Sequence, residues 1–189
     1  MKNYKVITPL FPTYAQVKAM MKAISGYSLK SVRSMITAIF EQTGTPQNPV
    51  DWSEPDLWIN ERLSGEDAEI ALRIWQTDNH ILNPRHSYGC YLFLNYPQFE
   101  LMESTPDDIW QPTSRGQKFL QDDEKTLRSL DDQEGILQLL ELLAGREMSR
   151  RADLLPEWQA FLHQHSKFAS ASSVKSTLYS RLYNLIAVS

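Results

Sequence analysis

Apolar positions recur at helical spacing through most of the chain. Tyr14, Val17, Met20 or Met21, and Ile24 predict a helix over residues 13–24, ended at Gly26. Ser28 then caps a second helix, with Leu29, Val32, Met35, Ile36, Ile39 and Phe40 on one face, stopping at Gly44. Prolines at 46, 49 and 55 make residues 45–55 a loop, because prolines this dense cannot continue a helix. A short turn or helix carrying Trp58 follows. Ser64, Glu66 and Asp67 open another helix, whose stripe is Ala68, Ala71, Leu72 and Trp75. After the Asp78-Asn79-His80 break, Asn83 and Pro84 form an N-cap and first helical position, predicting a helix over residues 84–94. Residues 99–102 and 109–112 alternate on either side of a polar, proline-containing stretch, the pattern of a short β-hairpin. A helix over residues 113–120 closes this part.

Residues 121–133 are strongly acidic and are expected to be a linker. Residues 134–144 predict a leucine-rich helix ended by Gly145. Ser149 is expected to cap residues 150–154, and a helix follows over residues 157–163. The Ser170–Ser173 cluster opens a last helix over residues 174–186, with Val174, Leu178, Leu182, Leu185 and Ile186 on one face. The expected fold class is therefore mainly α.

The order helix, helix, strand, wing, strand over residues 64–120 is that of a winged helix, a small helical core that leaves one helix free for the DNA major groove. Residues 134–189 begin the scheme again. Two tandem units are expected, at residues 1–123 and 124–189. The chain stops where a second wing would begin, so the expectation is a piece of a longer protein.

Four segments carry a family resemblance: DWSEPDLWINERLSGEDAEIALRIW (51–75), LNPRHSYGCYLFL (82–94), IWQPTSRGQKFL (109–120) and DDQEGILQLLELLAGREMSRRADLLPEWQAFL (131–162). Together they resemble the N-terminal region of Mrr-like, modification-dependent restriction endonucleases. The resemblance implies a winged-helix region that reads duplex DNA, often modified DNA. It further implies a separate magnesium-dependent nuclease domain of the PD-(D/E)xK type, which these residues do not contain. Pro106-Asp107 with Asp123-Glu124-Lys125 imitates the nuclease signature. That chemistry needs its carboxylates and lysine on adjacent core strands, and here they fall in the hairpin and the acidic stretch.

Composition sharpens this picture in two ways. A hydrophobic fraction of 42% over 189 residues suffices for a packed core. No apolar run approaches the roughly 18 residues of a membrane span, and no signal peptide is evident, so a cytoplasmic location is expected. The net charge of −4 disfavours nucleic acid, but its distribution does not. Residues 1–50 carry six Lys/Arg and one acid, residues 51–144 seven and nineteen, and residues 145–189 six and three. Two basic ends flank an acidic middle, as expected of a chain with a polyanionic partner.

The first candidate DNA-binding segment is Asn83, Arg85, His86, Ser87 and Tyr88, at the start of the presumed reading helix. Helix N-terminal amides favour phosphate there, and Arg85 suits a guanine edge or a phosphate. The second is Ser172, Ser173, Lys175, Ser176, Tyr179 and Arg181, a basic, hydroxyl-rich face, together with the Arg150–Arg151 doublet. The bland counterparts are helix caps and solvated faces. Trp52, Trp58, Trp75, Trp110 and Trp158 fit core packing better than a base-stacking pocket. The histidines at 163 and 165 do not share a helix face, and Cys90 lies in an apolar helix, so neither is read as chemical; no cofactor or metal is expected on these residues. Two other readings stay open: a winged-helix transcription regulator, which would be a homodimer on a palindrome, and a helical protein-interaction module.

Overall fold

A computed structural model of the chain describes residues 4–144 and 150–187, with side chains through Leu185. Among these residues the structure is mainly helical, with one two-stranded antiparallel sheet. Two compact units separate: Tyr14–Leu120, and Gln121–Ser189 together with Met1–Thr13.

The Tyr14–Leu120 unit begins with α1 (Tyr14–Ile24) and α2 (Leu29–Glu41). Gly26 adopts φ 102°, and Ser28 caps α2 by accepting the Ser31 amide, so the turn follows from residues that favour it. After α3 (Pro55–Arg62), α4 (Gly65–Gln76) packs against both α1 and α2. Its Ile70, Ala71 and Ile74 are buried. The helix expected over residues 84–94 is a 3-10 turn, Pro84–His86, followed by α5 (Tyr88–Asn95). The hairpin is β1 (Met102–Ser104) paired with β2 (Trp110–Pro112) in the register Met102↔Pro112. The first strand starts later than predicted. Pro97–Phe99 form a 3-10 turn and Glu100 is left-handed at φ 51°, so buried Phe99 and Leu101 reach the core from a turn and not from an extended strand. The turn between α1 and α2 is laced to β2, with the Gly26 amide donating to Trp110 O at 3.1 Å and the Trp110 amide to Tyr27 O at 2.8 Å. Helix α6 (Ser114–Leu120) closes the unit.

In the other unit, the expected acidic linker is a helix, α7 (Glu124–Gln133). Asp123 caps it by accepting from the Thr126 amide at 2.9 Å, and Thr126 and Leu130 are buried. Acidity measures exposure of the other faces here, not lack of structure. Helix α8 (Ile136–Leu143) follows after Gly135 at φ 73°. The expected stop at Gly145 and cap at Ser149 lie outside the described residues. A 3-10 turn, Arg151–Leu154, leads into α9 (Leu155–His165) and α10 (Ala171–Ala187). The core is Val6, Leu139, Leu154, Trp158, Leu162, Val174, Leu178 and Leu182.

Val6 in that core differs from the expected grouping of residues 1–123. The Lys5 amide donates to His165 O at 2.7 Å and the Val6 amide to Gln133 O at 2.8 Å. Glu134, fully buried, accepts from the Ile7 amide at 2.8 Å and from the Thr8 hydroxyl at 2.6 Å. The first segment thus satisfies its backbone against residues more than a hundred positions away, which no local pattern encodes.

Candidate nucleic-acid interface

Helices α9 and α10 are joined by residues 166–170. Ser170 Oγ donates to the Ser173 hydroxyl at 2.8 Å and accepts from the Ser173 amide at 3.4 Å, so α10 starts three residues before the apolar pattern does. Val174, Thr177, Leu178 and Leu182 are buried against the core. The opposite side exposes Ser172, Lys175, Ser176 and Tyr183, with Ser173 and Tyr179 half-buried beside them. These positions advance by three or four and form one stripe. From Ser172 to Tyr183 the stripe runs about 16 Å at 1.5 Å per residue. Helix α10 contains no Asp or Glu.

Tyr179 sits between two cations, with Lys175 Nζ 5.7 Å and Arg151 Cζ 6.0 Å from its ring centre. The Tyr ring thus orders both long side chains on the stripe. Arg150 is exposed, and its backbone amide donates to Asp153 Oδ2 at 2.9 Å. The Ser176 hydroxyl donates back to Ser173 O at 3.1 Å, leaving its lone pairs outward. Tyr183, 65% exposed, belongs to the same stripe and escaped the sequence reading. Its signal was present, four residues after Tyr179.

Arg181 does not belong to this face, contrary to expectation. It is 0% exposed and forms a buried ion pair with Glu134. Its Nε donates to Glu134 O at 2.7 Å, and its terminal nitrogens donate to Thr177 O at 3.1 Å and Thr8 O at 3.0 Å. The reason is helical geometry: residue 181 lies seven positions after Val174, close to two full turns, and so shares its buried face. Burial pushes the Glu134 carboxyl up, while Arg181 and the donors of Thr8 and Ile7 pull it down.

The Asn83–Tyr88 segment lies in the Tyr14–Leu120 unit, and its members part company. Asn83 is engaged on both sides of its amide, accepting from the Arg85 amide at 2.9 Å and donating to Trp52 O at 2.8 Å. Ser87 is 1% exposed, so it is not available to DNA as expected; it precedes Tyr91 by four and Leu94 by seven, on the buried side of α5. Helix α5 also departs from the expected reading helix. Its sequence YGCYLFLN is apolar nearly all round, and Tyr88 is its one exposed side chain. Such a helix belongs to a core. His86 is exposed. Arg85 is half-buried, its guanidinium 4.6 Å from the Trp52 ring centre and 5.6 Å from that of Phe40. A shallow surface depression here is lined by Ile36, Ile39, Phe40, Pro84, Arg85 and Tyr88 among others.

The remaining candidates are placed as follows. Trp58, Trp110 and Trp158 are buried, and Trp75 donates to Asp56 Oδ2 at 2.9 Å. Cys90 is buried, which pushes its thiol up to about 12. Asp107 and Asp108 are exposed on the hairpin loop, and Asp123 is a helix cap. Among the described residues, no group of three or more His, Cys, Asp and Glu side chains is placed to hold a metal. Among the same residues, no helix is long and apolar enough to cross a membrane. In comparisons with protein-family models, curated proteins and solved structures, nothing matched the chain.

Proposed function

We propose that this chain is the DNA-binding region of a restriction endonuclease of the Mrr-like kind, reading duplex DNA through winged-helix-like units. The observation that carries the reading is the exposed stripe of α10. It is acid-free, begins in a hydroxyl cluster, and sets Lys175 and Arg151 around Tyr179. A helix with such a face fits a major groove about 12 Å wide, and its 16 Å length covers about five base-pair steps. Lys175, Arg151 and Arg150 would meet phosphates, while Ser172, Ser176 and Tyr183 would lie nearer the base edges. The Tyr14–Leu120 unit lends support. There α1 and α2 flank a four-residue turn containing Gly26, and α2 exposes Lys30 and Arg33. The hairpin attached to that turn holds the place of a wing.

Cleavage, on this reading, belongs to a magnesium-dependent domain outside these residues. Modified-base reading rests on the family resemblance. The test is a titration of unmodified, 5-methylcytosine and 5-hydroxymethylcytosine duplexes. Tighter binding of a modified duplex is expected. Equal affinity for all three removes modified-base reading, and no binding at low salt removes DNA binding altogether, since phosphate contacts alone give salt-dependent affinity.

A further inference from the structure

Helix α2 ends in a pair of aromatic rings that the duplex reading leaves unused. Its exposed face carries Lys30, Arg33, Thr37 and Phe40, spaced three, four and three residues apart. Among the described residues, no carboxylate pairs with Lys30, Arg33 or Arg85. The single acid of α2 is its last residue, Glu41. This cationic track leads to Phe40, which is 51% exposed, and to Tyr88, which is 40% exposed. The two rings meet edge to face with centres 5.2 Å apart.

Large exposed aromatics are ordinarily mobile, but these are held. Tyr88 stacks on Tyr91 at 6.3 Å, and Tyr91 is fixed by a 2.7 Å hydrogen bond from Arg33 Nε to its hydroxyl. Arg85 lies over both Phe40 and Trp52, and Trp52 packs at 5.0 Å against buried Trp58. A string of contacts from Arg33 to Trp58 therefore keeps two aromatic rings in place at the surface. Fixed aromatic rings at the end of a cationic track are the two parts of a site for unpaired nucleotides: cations follow the phosphates and a ring takes the base. A paired base has both faces occupied by its neighbours and cannot use such a ring.

We infer that Phe40 and Tyr88 form a stacking site for one unpaired nucleobase in a DNA strand whose phosphates run along Lys30 and Arg33. The inference shares with the proposed function its class of ligand and the cations Lys30 and Arg33, but its stacking rings, Phe40 and Tyr88, take no part in the α10 stripe.

The test uses the full chain and three labelled duplexes of one sequence: fully paired, with a single bulged nucleotide, and with that nucleotide abasic. The bulged duplex is expected to bind about tenfold more tightly than the abasic one, the size of one base–aromatic stack. Phe40→Ala and Tyr88→Ala should each abolish that ratio, and Phe40→Tyr should keep it. Both Ala variants alter exposed side chains, and melting curves matching the parent verify their folding. Equal affinity for bulged and abasic duplexes overturns the inference, as does a ratio that survives both Ala substitutions. Self-association or protein capture lost in those variants, without any base effect, assigns the rings to a protein partner and also overturns it. If the bulged duplex binds while the paired one does not, the α10 reading fails and this one stands.

Discussion

Arg181 shows how strongly position outweighs residue type. A charged side chain in a polar-looking helix invites an exposed assignment. Its place two turns after Val174 instead delivers it to the core, where Glu134, Thr8 and Thr177 satisfy it. Removing one member of a buried pair leaves the other uncompensated, at a cost of about 3–5 kcal/mol. Arg181→Ala should therefore lower stability by that amount in denaturant melts, whereas Lys175→Ala should leave it nearly unchanged. Similar losses for the two would contradict the burial described. Ser87 teaches the same lesson, since its spacing to Tyr91 and Leu94 was visible in the sequence. Cys90 offers a test by pH. Burial raises its thiol from 9.0 to about 12, so between these values the folded chain keeps a proton that the unfolded chain releases. Its contribution is complete below about pH 9 and is lost as pH rises through about 12. Over that window stability should fall by about 1.4 kcal/mol per pH unit from this group. Cys90→Ala should flatten the decline in melts between about pH 8 and about pH 10.5. Parallel declines in both proteins would sink the assignment.

At the scale of elements, apolar periodicity located most helices, because each buries one stripe against a neighbour. It failed where burial is decided by distant partners. Residues 99–102 look like a strand by alternation, yet a 3-10 turn at Pro97–Phe99 and left-handed Glu100 carry Phe99 and Leu101 into the core before the strand begins. The acidic stretch before residue 133 looks like a linker, yet Thr126 and Leu130 supply the narrow stripe that makes α7. The apolar look of α5 was a fair warning that it would not be a reading helix. Close packing of α6 gives a further test. A Cβ on Gly116 would lie 2.1 Å from Leu101 O, a backbone atom that cannot yield alone. Gly116→Ala should destabilise by about 1–3 kcal/mol in thermal unfolding, as overpacking does. A neutral effect would mean that α6 can shift away from the segment leading into β1.

For the molecule as a whole, the net charge of −4 is the wrong quantity to read. What bears on partners is the sign of each exposed face. Acids concentrate between residues 51 and 144, while α10 carries none and α2 only its terminal Glu41. The basic ends were legible in the sequence. That residues 4–13 join the C-terminal unit was not, because their hydrogen bonds run to Gln133, Glu134 and His165. The candidate site was legible in part: Lys175, Tyr179, Ser172, Ser173, Ser176 and Arg151 come together, and Tyr183 joins them.

The central claim is that the α10 stripe binds duplex DNA. Its most direct test is the affinity of the chain and of Lys175→Ala for one duplex over a range of salt. Affinity should fall steeply with salt, and Lys175→Ala should bind more weakly with a slope smaller by about one, the loss of one phosphate contact. Absence of binding at low salt, or an unchanged affinity and slope in Lys175→Ala, would contradict the account.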